Sequence, residues 1–364
     1  MTFIPGLELA RAFFFDCVAP AVDQLDPGLR YGAALIGEGS EVLGYDTPVS
    51  TDHDWGPRVQ LFVAAEDFAQ ASANIPPLLD GLLPSRFRGW PVAFPDRDRP
   101  NRVDRGARAA GSGAHGVEVH DLAAWVQRRL GVAVGPKVPP PAADWLGIPE
   151  QALLSITAGA VFRDDLGALA ALRDQLAWFP RDVWLFKLGC QWERVGEEAA
   201  FVGRCGDVGD EIGSRIMAGR LVRDAMRIAF FMERRYAPYP KWFGRAFSEL
   251  AIADRLTTQI ERALAASDWR SRERHLNDVL LSLAQQHAEM DLPGQFSPEV
   301  SRYHGRAYRV INAHDIAAAI FKAIQEPAIR DLPRIGAVDQ FCDSTAVLAH
   351  PPRAMAARAV LSSP

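Results

Sequence analysis

The chain has 364 residues, of which 48% are hydrophobic, 23% charged and 9% aromatic, and its formal net charge at pH 7 is −5. This composition is that of a globular protein and excludes disordered, collagen-like and disulfide-scaffold chains. The acidic balance provides no overall positive field, so neither long nucleic acid nor an anionic membrane is an expected partner.

Cysteine usage and hydropathy both indicate a cytoplasmic protein. The four cysteines form no CxxC pair, which favours free thiols in a reducing compartment. Glu8, Arg11 and Asp16 interrupt the first apolar stretch, so it does not resemble a secretory signal. No run of about 18 apolar residues is present to span a membrane. The sequence leaves the oligomeric state open.

The first part of the chain alternates between helical and strand patterns. Its predicted helices are residues 5–23, residues 66–83 (broken at Pro76 and Pro77) and residues 122–130. Its predicted strands are residues 31–37, 50–63, 90–94 and 116–120, and Gly56-Pro57 is expected to kink the second of them or to set a bulge. Asp121 can cap the helix that follows it, and Gly131 can end that helix.

A proline-rich stretch, residues 135–141, is the clearest boundary in the sequence. Beyond it the patterns are almost all helical, with helices predicted over residues 210–235, 241–264, 268–288 and 315–325. We therefore predict an α+β fold: a small mixed α/β domain (1–134), a linker (135–149) and an all-α domain (150–364).

Two aspartates in the second predicted strand point to a metal site. In an extended strand Asp52 and Asp54 project to the same side, where their charges repel unless a cation is present. Mg²⁺ is the usual cation for oxygen ligands in phosphate chemistry. Upstream, Gly39 lets the backbone approach an anion and Ser40 adds a hydroxyl and an N–H, while Gly44 lets the loop turn again.

This pattern resembles the signature of the DNA polymerase β nucleotidyltransferase superfamily: Gly-Ser, a glycine four residues later, then Asp-x-Asp. Residues 5–350 also resemble a bacterial nucleotidyltransferase-like family of uncharacterised function. The stretches that carry this second resemblance are residues 50–58, 159–167 and 236–242. The resemblance implies that the first domain is nucleotidyltransferase-like.

The resemblance also implies transfer of a nucleoside monophosphate from a nucleoside triphosphate such as ATP to an acceptor, with release of pyrophosphate. Two Mg²⁺ ions would be bound by Asp52, Asp54 and a third carboxylate on a neighbouring strand. Glu118 is our candidate for that third ligand, although the superfamily more often has aspartate there. Asp121 is the second candidate, with a helix cap as the equally good alternative.

Two basic residues are candidates for contacting the triphosphate. Lys241 follows Pro240, which suits the first turn of a helix, and helix N-termini favour phosphate oxygens. In the superfamily a helical domain often supplies such a lysine, and the alternative is a surface lysine beside aromatic residues. Arg58 follows the aspartate pair, where a phosphate contact and a surface position are equally consistent with the sequence.

Several alternatives stay open from the sequence. The acceptor is expected to be the hydroxyl of a small antibiotic-like or metabolite-like molecule, with a protein or a tRNA end as the other options. A nucleotidyltransferase fold can also persist as a nucleotide-binding regulatory or antitoxin-like module without turnover. The His-Asp pairs that begin at His53, His120 and His314 invite a metal-dependent phosphohydrolase, but that class places its ligands on helices.

Overall fold

The computed structural model describes residues 2–52, 55–93, 115–135, 138–290 and 296–362. The chain forms two compact units, and each is described by itself. The sheet unit comprises Met1–Pro140, Ala152–Ala177 and Thr345–Met355. The helical unit comprises Pro141–Gln151, Trp178–Ser344 and Ala356–Pro364. These bounds differ from the expected domains because two later segments of the chain lie with the sheet.

The described residues of the sheet unit form the strands β1 (Tyr31–Leu35), β2 (Arg58–Val63), β3 (Arg86–Phe87), β4 (Trp90–Pro91), β5 (Gly116–Asp121) and β6 (Ala160–Asp164). Four of them form one sheet in the order β5-β2-β1-β6, and β3 pairs with β4. Strand β1 is antiparallel to β2 and β6, whereas β2 and β5 are parallel. The strand β6 follows the proline-rich stretch, where the sequence predicted only helices.

The first six helices are α1 (Gly6–Phe13), α2 (Ala19–Leu25), α3 (Ala65–Leu82), α4 (Leu122–Leu130), α5 (Glu150–Thr157) and α6 (Ala168–Gln175). A π-helical segment, Phe14–Val18, joins α1 to α2, so the helix predicted over residues 5–23 is nearly continuous. The helix α4 has its predicted bounds. The Asp121 side chain accepts a hydrogen bond from the N–H of Ala124, and Gly131 ends the helix at φ +73°.

One face of the sheet builds the core of this unit. In β2 and β5 the alternate residues Val59, Leu61, Val117 and Val119 are buried in a cluster that includes residues of α1, the π-helical segment and α3. The residues between them project to the other face, because side chains alternate along a strand. The polar residues that alternate with the buried valines and Leu61 lie on that second face: Arg58, Gln60, Glu118 and His120.

Several details of the predicted elements are wrong. The helix predicted over residues 241–264 is two helices, Pro240–Phe247 and Ala253–Ala265. The strand predicted over residues 50–63 begins only at Arg58, because Pro48–Asp52 forms a 3₁₀ helix and Gly56 turns the chain at φ +147°. The helix α3 continues through its two prolines instead of breaking. Ile75 and Leu79 are buried on either side of the prolines, so packing holds the helix together.

The helical unit contains α7 (Arg181–Glu198), α8 (Ala200–Asp207), α9 (Glu211–Met232), α10 (Pro240–Phe247), α11 (Ala253–Ala265), α12 (Trp269–Glu289), α13 (Ala313–Lys322), α14 (Pro327–Arg330) and α15 (Val338–Phe341). It also contains the hairpin of β7 (Val300–Arg302) and β8 (Arg309–Ile311). The predicted α+β fold, with a small mixed sheet followed by a helical region, is confirmed. Two short helices, α16 (Thr345–Leu348) and α17 (Pro351–Ala357), come later in the chain. None of the helices in the described ranges is both long and apolar enough to span a bilayer.

Candidate functional site

The turn that follows β1 has a backbone conformation that glycine allows. Gly37, Gly39 and Gly44 have φ values of +100°, +143° and +73°. An ideal Cβ on Gly39 would lie 2.5 Å from the Glu41 carboxylate, so this position has no room for a side chain. The N–H of Tyr45 donates to the Ser40 carbonyl at 2.9 Å, which closes the turn. The predicted Gly39-Ser40 turn therefore lies directly after the first strand.

Two side chains of β2 hold this turn in place. Gln60 is buried and forms a reciprocal pair with the Ile36 backbone, donating to its carbonyl at 3.0 Å and accepting from its N–H at 3.1 Å. Arg58 forms an ion pair with Glu41, whose side chain is buried. Arg58, predicted to contact phosphate, is thus bound to a carboxylate of the turn itself.

Glu118 lies on the same sheet face as Arg58. The register of the parallel pair places Gln60 opposite Glu118 and Arg58 opposite Gly116, and paired residues project to the same side. The Glu118 side chain is 52% exposed, so it does not point into the core. Its carboxylate accepts a hydrogen bond from His120 Nε2 at 2.9 Å.

The charges around Glu118 keep its carboxyl ionised. Burial alone would raise its pKa, but the hydrogen bond from His120 and the positive charges of His120, Arg58 and Arg129 outweigh that effect and lower the pKa to about 2. Arg129 comes from the last turn of α4 and lies 3.4 Å from the Glu38 carboxylate. We call the turn 37–44 together with Arg58, Glu118 and Arg129 the candidate site.

Asp52 does not lie in an extended strand, where the sequence predicted it. Asp52 is the last residue of a 3₁₀ helix and is exposed, so the alternation of an extended strand does not apply to it. His53 and Asp54 lie outside the described residues. The structure therefore brings Glu118, Arg58 and the Gly39-Ser40 turn to one side of the sheet, but β2 does not carry the expected aspartates.

The described side chains include oxygen ligands of the kind that Mg²⁺ prefers, but too few of them lie together to bind the ion. Carboxylate oxygens, such as those of Asp52 and Glu118, are the ligands that Mg²⁺ prefers. Within the described part of the chain, however, no three His, Cys, Asp or Glu side chains form a group that could hold a metal ion. A complete set of ligands would need Asp54.

Lys241 belongs to the helical unit. It follows Pro240 in the first turn of α10, as predicted, and its ammonium lies 4.8 Å from the centre of the Trp242 ring. The side chain is exposed. Its assignment to the triphosphate stays a prediction. Asp121 caps α4, so the structure supports the alternative role of that residue.

Sequence reasoning missed Glu41 and Arg129. Glu41 directly follows Ser40, and a buried glutamate at that point needs a cation, which Arg58 supplies. Arg129 approaches the turn closely, since an ideal Cβ on Gly37 would lie 3.2 Å from its Nη2 atom. In the sequence Arg129 is only a basic residue in the last turn of a helix. Such a residue is explained by its favourable interaction with the helix dipole, so the sequence does not single it out.

Part of the chain matches a known family model. Residues 145–243 match a domain of unknown function, DUF4037. This segment contains two of the three stretches that carry the family resemblance, and it contains Lys241 but not the candidate site.

The chain is also similar to a solved structure. This is the crystal structure of a nucleotidyltransferase-like protein from Exiguobacterium sibiricum 255-15, with 12% identity over 84% of this chain and 97% of that one and a TM-score of 0.35. No protein with curated annotation matches the sequence.

Proposed function

We propose that the protein is a Mg²⁺-dependent nucleotidyltransferase that moves a nucleoside monophosphate from a nucleoside triphosphate to a hydroxyl of a small acceptor. The observation that carries the proposal is the candidate site: an ionised, half-exposed Glu118 on the same sheet face as Arg58, which pairs with the glycine-rich turn. Nucleotidyl transfer requires a turn that binds phosphate after one strand and a carboxylate on another strand of the same sheet.

The reaction forms one bond and breaks one. The acceptor oxygen bonds to the α-phosphorus, the bond from that phosphorus to the bridging oxygen breaks, and pyrophosphate leaves with the electron pair while the acceptor proton passes to solvent. We assign the backbone of Gly39 and Ser40 to the phosphates, and Asp52, Asp54 and Glu118 to the metal ions. Mg²⁺ would neutralise the charge of the polyphosphate.

The basic residues have separate roles in this proposal. Arg58 holds the turn through Glu41 and adds positive charge beside Glu118. Arg129 adds a second guanidinium beside the turn. Lys241 is assigned to the triphosphate tail, as the superfamily resemblance implies. Arg58 and Arg129 would stabilise the charge that grows on the phosphate oxygens.

One observation favours a second candidate function, a nucleotide-binding module without turnover. Two carboxylates of the candidate site already have partners, Glu41 with Arg58 and Glu118 with His120. The described residues also include no complete set of three metal ligands. A protein of this kind would bind the triphosphate and respond to it without transferring a nucleotide.

Incubation with each labelled triphosphate, Mg²⁺ and a metabolite extract tests the two candidates. We expect label on an acceptor, and the E118Q variant should lower the rate by at least about a hundredfold because the metal loses a charged ligand. The D52A/D54A variant should be inactive. Glu66→Gln, which changes an exposed glutamate in the first turn of α3, is the matched control and should keep full activity.

The negative results differ in meaning. Mg²⁺-dependent binding of a triphosphate without transfer to any acceptor would support the regulatory module. Transfer that is as fast in E118Q as in E66Q would remove Glu118 from the site, and equal labelling by D52A/D54A would reject the assignment of the aspartates.

A further inference from the structure

The hairpin of β7 and β8 carries two arginines at paired positions of its strands. Arg302 and Arg309 are directly opposite each other in the antiparallel pair, and both side chains are exposed. Like charges in this position destabilise a hairpin unless an anion compensates. The loop between the strands adds His304 and Arg306, which are also exposed.

The hairpin is firmly packed on the helical unit. The N–H of Arg309 donates to Glu273 at 3.0 Å, and Asn277 donates to the carbonyl of Arg309 at 3.0 Å, so two residues of α12 hold the backbone of β8. Tyr308 is buried, with its ring centre 6.5 Å from that of Trp269. The exposed arginines therefore project from a fixed support.

A fourth arginine, Arg270, extends this surface along α12. Its guanidinium lies 4.3 Å from the centre of the Trp269 ring. Arg306 donates to the hydroxyl of Tyr308 at 3.0 Å, and Arg309 donates to the carbonyl of Val300 at 2.8 Å. We define the hairpin surface as five residues: Arg270, Arg302, His304, Arg306 and Arg309.

The arginines of the hairpin surface differ from Arg220 and Arg223 of the same unit. Across the described ranges, none of its four arginines lies in an ion pair with a carboxylate, whereas Arg220 pairs with Glu198 at 2.6 Å and Arg223 with Asp343 at 2.8 Å. The contacts that the structure gives these guanidinium groups are with neutral partners. Arg270 contacts an aromatic ring, Arg306 a hydroxyl and Arg309 a carbonyl. Their positive charges are left to act on another molecule.

One buried acid faces the surface, and it neutralises the surface only in part. Glu273 accepts from the N–H of Arg309 and lies near the charges of Arg270 and Arg309. Burial raises its pKa to about 7, although that hydrogen bond and both arginines act in the opposite direction. At neutral pH a substantial fraction of this carboxyl is therefore uncharged.

We propose that the hairpin surface binds the phosphate groups of a short single-stranded nucleic acid segment. Guanidinium groups match phosphate geometry, and the rings of His304 and Tyr303, 4.4 Å apart at the hairpin tip, are of the kind on which bases stack. A membrane-binding surface would also need an exposed apolar face, but the aromatic residues beneath this one, Trp269 and Tyr308, are buried. The inference does not depend on nucleotidyl transfer.

Fluorescence anisotropy with a labelled oligouridylate RNA tests this proposal on the full chain. Four arginine–phosphate contacts predict that the logarithm of the binding constant falls with the logarithm of salt concentration with a slope of about −3. The R302E/R309E variant should bind at least about tenfold more weakly with a shallower slope. R302K/R309K should retain binding because a phosphate also accepts a lysine charge.

The control is Arg262→Glu, an exposed arginine of α11 that receives the same charge change. It should bind RNA like the unmodified protein, and thermal unfolding should show that the hairpin variants are folded. Equal weakening in R262E, or no effect of R302E/R309E, would overturn the assignment of the surface. So would the absence of RNA binding, whether or not the protein binds equimolar phosphatidylcholine–phosphatidylserine vesicles.

Discussion

Among the paired charges of the described residues, the candidate site and a group in the helical unit differ clearly in exposure. At the candidate site Glu118 is 52% exposed and pairs with His120 on the same strand. In the helical unit Lys187 is fully buried, with its ammonium 2.9 Å from Asp339 and 3.4 Å from Glu150. Arg227 lies 3.7 Å from Glu150 and completes this second group, which we call the buried tetrad.

The buried tetrad joins segments that are far apart in sequence. Glu150 begins α5, Lys187 lies in α7, Arg227 in α9 and Asp339 in α15. Glu150 also accepts a hydrogen bond from the N–H of Ala237 at 3.0 Å, which fixes the segment before α10. The Lys187 ammonium also faces an apolar surface, since it lies 4.6 Å from the centre of the Phe179 ring.

The two groups also differ in how burial affects their carboxyl groups. Burial raises the pKa of Glu150 although Lys187 opposes it, whereas Lys187 and Arg227 overcome the effect of burial and lower the pKa of Asp339. Glu150, Lys187 and Asp339 of the tetrad are buried, so each of their charges depends on the others. The Glu118 side chain is open to solvent, and its role as a metal ligand remains our proposal.

The largest expected effect is on the buried tetrad. Lys187→Met leaves two buried carboxylates without their main cation, and the free energy of unfolding should fall by about 3–5 kcal/mol. Urea denaturation measures this change. The control is Lys322→Met, which replaces an exposed lysine of α13. It should change the free energy of unfolding by no more than about 0.5 kcal/mol. If the two variants are equally stable, the tetrad does not stabilise the unit.

A smaller effect is expected at Asp121, the acid that follows Glu118 and His120 in β5. Its side chain accepts from the N–H of Ala124 at 2.7 Å, so Asp121→Ala should cost about 1 kcal/mol of unfolding free energy through loss of the helix cap. Nucleotidyl transfer should continue, because Asp121 acts on α4 rather than on the metal. Asp121→Ser should restore stability. Loss of transfer in the serine variant would instead identify Asp121 as the third ligand.

The smallest effect concerns the pH dependence of Glu118. Its pKa is lowered from an ordinary value of 4.5 to about 2, so the stabilisation it provides is present above pH 4.5 and is lost as the pH falls through 2. Exposure to solvent keeps the effect small. In urea denaturation, E118Q should be slightly less stable than the unmodified protein at neutral pH, and the difference should shrink as the solution is acidified. A constant difference would show that Glu118 is not held in its charged form.

Much of the fold followed from local sequence patterns. The helix α4 has its predicted bounds, because Asp121 and Gly131 determine its ends through local hydrogen bonds and backbone conformation. The strands β1 and β5 were found for a similar reason, since their apolar patterns contrast with the polar segments around them. The strand β6 was missed because its partner β1 comes from a distant part of the chain, and such pairing is not a local property.

The candidate site was only partly predictable. The sequence identified Gly39, Ser40 and Glu118, which the structure places at the turn and on the sheet. It misjudged Asp52, because a 3₁₀ helix precedes β2 where an extended strand was expected. Glu41 could be noted as a neighbour of Ser40, but its pairing with β2 is known only from the packing of the turn on the sheet.

The sequence by itself determined the helix ends, the glycine-rich turn and the apolar faces, because capping, backbone freedom and side-chain periodicity act between near neighbours. Tertiary structure alone decided which charges are paired and which are open to solvent. The tetrad and the hairpin surface both consist of charged residues that look ordinary in the sequence. Their chemistry differs because one group is surrounded by other elements of the fold and the other projects from its surface.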